Sequence, residues 1–219
     1  MTLCLGIMAV LGIGTGRISS DATPDETFAR LLAAAQADPT AADYTALRWA
    51  YLYTSRGDAG VRPEPDLTPV EYEWKNGERT AARVALDRIL DGYWTDIRAH
   101  QAAAELAERW NDPARSNLHR TFERGLLDSI LASGDGRSFA TAWRIATLAE
   151  EQAVLAHLRL SGGMRTLVEH EGRHYAVTRF RDERIGRELA VYFDIETAWQ
   201  AQRRRDGFAA DRRDREPQP

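Results

Sequence analysis

The chain is poor in several things, and each scarcity excludes something. One cysteine, Cys4, stands among 219 residues, so no internal disulfide can staple the fold, and stability must come from a packed core. Lys75 is the only lysine; the rest of the 29 basic residues are arginine. Neither charge sign prevails, with 33 acids against 29 bases and a net charge of −4. That balance argues against an electrostatic nucleic-acid binder. The amino-terminal apolar run, residues 3–13, is broken by Gly6 and Gly12 and has only eleven residues. A membrane-crossing helix needs about 20. What is plentiful is hydrophobic content, at 43%, which excludes wholesale disorder and allows a sizeable core.

The apolar run fits the h-region of a signal peptide, and Ser20-Asp21-Ala22 offers small residues at both recognition positions of a cleavage site. No Lys or Arg precedes the run, which leaves a buried first helix or strand as the alternative. On the export reading, residues 1–22 are removed and Cys4 goes with them.

Thr23-Pro24-Asp25-Glu26 is a helix start, with Thr as N-cap, Pro at the first position and Glu three residues on. Phe28, Leu31, Leu32 and Ala35 follow at helical spacing, and Asp38-Pro39 ends the element. Further helices are expected over residues 41–53, 68–74, 79–90, 96–110 and 113–131, with a loop at 55–69. Asn76-Gly77-Glu78 is echoed by Asn111-Asp112 at a 34-residue offset, and the small residues Ala82 and Ser116 keep the same offset. That is the tetratricopeptide period, but two such units are too few to stand alone. Something must cover them.

Residues 133–199 supply the cover. Ser133-Gly134-Asp135-Gly136 ends the sixth helix, residues 143–146 alternate like a short strand, and Thr147-Leu148-Ala149-Glu150 is a second capping box opening a helix to Leu160. Residues 164–169, 174–180 and 188–195 then alternate or run apolar, with turns at Gly172 and Gly186, which predicts an antiparallel meander. The expected architecture is therefore α+β: a tetratricopeptide-like helical part (23–132) packed on a small antiparallel sheet within one domain (23–199). A charged, disordered tail is expected over 200–219.

The stretch from Leu126 through Ser133-Gly134-Asp135-Gly136, with Glu150-Glu151 and Val191-Tyr192-Phe193-Asp194-Ile195, resembles the family called domain of unknown function (DUF) 4919. Leu47-Arg48 with Tyr51, and Asp96-Ile97 with Ala99-His100, fit its pattern too. The resemblance implies a bacterial protein, often exported, with no established activity and no catalytic residues to carry over. One departure is Ala176, where the family usually has Asp after the tyrosine of the second late strand.

Four constellations could carry chemistry. His170-Glu171-Gly172-Arg173-His174 matches the zinc-protease pattern letter for letter, but that chemistry needs a helix, so that both imidazoles share a face. Strand-like text on both sides makes it a hairpin turn, with His170 and His174 as weak two-ligand candidates that Glu183 or Glu188 could supplement. Gly134, Asp135 and Gly136 can cradle an anion or present a carboxylate, or simply cap a helix and turn. His100 and His119 sit on expected helices and could form an acid–base pair, with Asp128 nine residues beyond His119. Ser129 has no base beside it in the sequence, and Glu150 and Glu151 read as a helix start. The aromatics Trp49, Tyr51, Tyr53, Trp74, Tyr93, Trp94 and Trp110 either fill the helical core or line a groove; Trp49, Tyr51, Trp74 and Trp94 are the groove candidates.

These features point to a periplasmic or secreted binding module that recognises a protein partner in the cell envelope through its helical groove. Neutralising an envelope toxin is one form this could take. The contrasting expectation is a hydrolase-like or metal-dependent enzyme using Asp135, His119, Asp128 and the His170/His174 hairpin. No cofactor is implied.

Overall fold

The computed structural model describes residues 22–57, 65–182 and 187–213. The expected signal segment up to residue 21, residues 58–64 of the expected 55–69 loop, Glu183, Gly186 and the last six residues lie outside them. Helix α1 (Pro24–Ala37) opens with the capping box the sequence spells: Thr23 Oγ1 accepts from Glu26 N, and the Glu26 carboxylate accepts from Thr23 N. Helix α2 (Tyr44–Leu52) starts three residues later than expected, because Asp43 caps it by accepting from Ala46 N at 2.8 Å. Helices α3 (Thr68–Lys75), α4 (Arg79–Asp91), α5 (Ile97–Arg109) and α6 (Pro113–Leu131) follow, with Asp96 and Asp112 capping the last two.

The 34-residue echo is visible in the backbone. Gly77 and Asn111 both take positive φ, at 81° and 53°. Glu78 N bonds Glu73 O as Asp112 N bonds Ala107 O. The α3–α4 and α5–α6 turns are thus the same helix-ending turn, in which a left-handed residue lets the last carbonyls find donors.

The sheet has the order β1-β4-β3-β2, formed by β1 (Trp143–Arg144), β2 (Met164–His170), β3 (Arg173–Asp182) and β4 (Arg187–Asp194). Strands β2, β3 and β4 pair antiparallel, but β1 runs parallel to β4, with Trp143 opposite Phe193. The sheet is therefore mixed, where the sequence predicts a purely antiparallel one. Of the expected strand 143–146 only Trp143–Arg144 forms one, and alternation carries no information about its partner. Between β1 and the hairpin lies α7 (Leu148–His157), capped by Thr147.

One face of the sheet presents Ala176, Val191 and Phe193 to Phe122, Leu126, Ile130 and Val154 of α6 and α7, forming the main core. Tyr175 and Val177 on the opposite face are covered by Phe139 and Ala142 from the α6–β1 connection. A second core joins α3, α4 and α5 through Val70, Leu86, Leu90, Ala103 and Trp110. Among the described residues, no helix is long and apolar enough to cross a membrane.

Helix α8 (Glu196–Arg213) occupies the first part of the expected disordered tail. Its arginines, glutamines and alanines are strong helix formers, so a composition that reads as solvated is also one that can coil. The first turns are fastened: Asp194 Oδ1 accepts from Glu196 N, and Trp199 stacks on His174 with ring centroids 4.6 Å apart.

Candidate functional site

The Ser-Gly-Asp-Gly loop uses its own amides. Asp135 N and Gly136 N both donate to Thr141 O, and Arg137 N donates to Asp135 Oδ1 at 3.0 Å. Gly134 O accepts from Trp143 Nε1 at 2.9 Å, and Gly136 O accepts from Tyr192 N. An anion would find these amides engaged. Gly136 has φ +67°, and a methyl there would lie 2.4 Å from the Trp143 ring. Gly136 is thus required by the Trp143 ring of β1, and Gly134 by the Thr141 carbonyl oxygen, 2.2 Å from where a methyl would lie, which accounts for this conspicuous motif without any ligand.

The hairpin separates its histidines. Glu171 and Gly172 form a two-residue turn with φ of 50° and 71°, and His170 pairs with Arg173 across it. His170 stacks on Phe139 on one face of the sheet. His174 points to the other, where Nδ1 lies 2.8 Å from Glu196 Oε2. The zinc-protease spelling thus places its imidazoles on opposite faces. No grouping of three or more metal-binding side chains occurs among the described residues.

The four groove aromatics do not line one surface. Trp49 is half-buried beneath the guanidiniums of Arg48 and Arg144. Tyr51 is buried against Phe28, and Trp74 stacks on Trp110. Trp94 borders a cavity shared with His119, and Tyr51 a far smaller one shared with Asp96 and Glu150. Ser129 is engaged as well: its hydroxyl donates to Leu126 O and accepts from Arg48 Nη1. Asp128 lines a different, shallow depression with Asp43, Arg124 and Ser129. Nine residues along a helix is half a turn out of phase, so Asp128 and His119 face opposite sides of α6.

The structure does bring His100 and His119 together. His100 on α5 and His119 on α6 are buried, at 0% and 1% exposure. Their Nδ1 atoms are 3.0 Å apart, and His100 Nε2 lies 3.1 Å from Trp94 O. Trp94 packs against both rings, and Phe122 stacks on that of His100. Burial drives the His100 pKa down to about 3; burial and then the Arg115 charge drive that of His119 to about 4, against a smaller opposing pull from Asp87. Both rings are therefore neutral at pH 7.

Neutrality fixes the protons. A carbonyl can only accept, so His100 carries its hydrogen on Nε2 and leaves Nδ1 as an acceptor. His119 must then donate from Nδ1, which leaves its Nε2 as a bare lone pair. That atom is buried and has no hydrogen-bond partner. His119 itself borders a cavity of about 360 Å³, which Asp87, Trp94, Asp112, Ala114, Arg115 and Leu118 also line. Arg115 pairs with Asp87 through Nη2, while its Nε–H is also buried without a partner. Asp112 is held by Arg83 at 2.9 Å and by Arg115 N.

Asp87, Arg115, Ala114 and Leu118 escape sequence reasoning, because no local pattern links α4 to α6. The capping signature at Asp112 is the one available signal, since it fixes the register that places Arg115 and His119 on the same face, four residues apart.

The model of the family named domain of unknown function (DUF4919) matches residues 25–204. The chain belongs to that family, whose description assigns no activity. No curated protein matches the chain, and no solved structure matches it.

Proposed function

We propose that this is an exported bacterial binding module that acts through its helical layer, with the His119 cavity as the recognition point. The observation that carries the reading is the unpartnered, buried Nε2 of His119, a residue that borders the cavity. A buried acceptor without a donor costs about 1–3 kcal/mol, and a ligand donor removes that cost. Catalysis is the poorer fit. With its pKa near 4, His119 is no stronger a base than a carboxylate, and a general base works best with a pKa near the operating pH. Recognition needs only the lone pair. The equivalent α3–α4 and α5–α6 turns support a tetratricopeptide-like arrangement, and such stacks characteristically bind partners. Export rests on the apolar run before Ser20-Asp21-Ala22 and on the habit of the family.

The test expresses the full chain in a Gram-negative host and screens the recovered protein against small polar molecules by thermal shift. Recovery is expected in the periplasmic fraction. Stabilising compounds are expected to lose their effect in Ala114→Trp, which plugs the cavity from an exposed position on α6. Retention in the cytoplasm refutes export. Stabilisation that survives Ala114→Trp refutes the cavity, and turnover of a compound abolished by His119→Gln would make the protein an enzyme.

A further inference from the structure

We infer that the His119 cavity takes an uncharged group carrying a hydrogen-bond donor beside an acceptor on an apolar stem, the chemistry of a primary carboxamide. The inference rests on the cavity reading above and adds the chemical class of the ligand.

Two unmatched atoms set the polarity. His119 Nε2 is a bare acceptor and asks for a donor, while Arg115 Nε–H is a bare donor and asks for an acceptor. Both residues line the same cavity. A carboxamide offers both functions from one planar group. A carboxylate would satisfy Arg115 but set a lone pair against the His119 lone pair. An ammonium would satisfy His119 but leave Arg115 Nε–H without an acceptor.

The formal charges in the wall are already matched. Asp87 is held by Arg115, and Asp112 by Arg83. Two guanidiniums thus answer two carboxylates, and no net charge is left to repay the desolvation of a charged ligand. Trp94, Ala114 and Leu118 supply the apolar remainder of the wall. A cavity of about 360 Å³ lies within the usual range for small-molecule sites.

The experiment titrates the full-length protein with three small probes of similar size, butyramide, butyrate and butylammonium, and follows the side-chain nitrogens of His119 by NMR. Butyramide is expected to move the His119 Nε2 resonance in the direction of an accepted hydrogen bond. Each charged probe should bind about tenfold more weakly or worse, as one unmatched buried hydrogen-bonding group implies. Ala114→Trp, which leaves the His100–His119 pair in place, should abolish the shift. If butyrate or butylammonium moves the resonance at equal or lower concentration, the ligand class is wrong and the cavity reading stands. If no probe of any charge moves it, both fall. A butyramide response that persists in Ala114→Trp places the binding elsewhere and overturns the inference.

Discussion

Replacing Arg48 by methionine is expected to destabilise the fold by about 3–5 kcal/mol, the usual cost of stripping one partner from a buried ion pair. The Arg48 side chain, on α2, is 1% exposed and that of Glu150, on α7, is 4%. Their contact is two-pronged: Nε to Oε1 at 2.8 Å and Nη2 to Oε2 at 2.7 Å. The remaining capacity is also used. Nη1 donates to Ser129 Oγ, Nη2 also donates to Arg144 O, and Glu150 Oε2 accepts from Ala146 N. Four segments therefore meet at one guanidinium, and its loss leaves a buried carboxylate with a single amide donor. The pair need not be stabilising as a whole, because both charges were taken out of water. Adding Glu150→Gln to Arg48→Met keeps an acceptor for Ala146 N and is expected to recover most of the loss. Urea unfolding of the single and double variants gives the coupling directly. A loss below about 1 kcal/mol in Arg48→Met would show that the pair is not the junction described.

Acid is expected to weaken the protein well before its surface carboxylates titrate. Free histidines take up a proton below about pH 6.5, but His100 and His119 hold out to about 3 and about 4 in the folded state. The unfolded chain therefore binds more protons through this window. Stability is complete above pH 6.5 and is lost as pH falls toward the folded values. At pH 5 the loss is about 2 kcal/mol per ring and about 4 for the two. That is a large share of the roughly 5–15 kcal/mol that holds a typical domain together. Glu151 works in the opposite sense, since burial raises its carboxyl against the pull of Arg165. Its contribution grows as pH falls and trims the effect. Unfolding free energy measured from pH 8 to 5 should show a net uptake of nearly two protons around pH 5, while the folded rings keep fixed NMR shifts. Rings that titrate near pH 6.5 in the folded protein would contradict the neutral pair.

Much of the fold is legible from local chemistry. Thr23 with Glu26, and Thr147, cap helices where the sequence places them, because a cap depends on neighbours within three residues. The second capping box shows where that legibility ends. Thr147 accepts from Glu150 N as expected, but the Glu150 carboxylate turns to Arg48, 102 residues away. Ion-pair chemistry outbids a cap, and no short-range pattern can announce it. The same holds for β1, whose partner lies 50 residues downstream. In the site, the meeting of His100 and His119 is foreseeable from two histidines on neighbouring helices, whereas Asp128 is misread when the half-turn phase along α6 is left out. The hairpin histidines are separated by strand alternation itself, visible once the turn is placed at Glu171-Gly172.

The Arg48 junction also sets an order on synthesis. Ribosomes deliver α2 long before Arg144 and Glu150 exist as chain, so a nascent helical layer carries an unanswered guanidinium that keeps α2 near water. Residues 144–150 then arrive and draw it inward, and the mixed sheet closes only when β4 reaches β1. Messages truncated before codon 150 should therefore yield products cleared by proteases, however complete their helices.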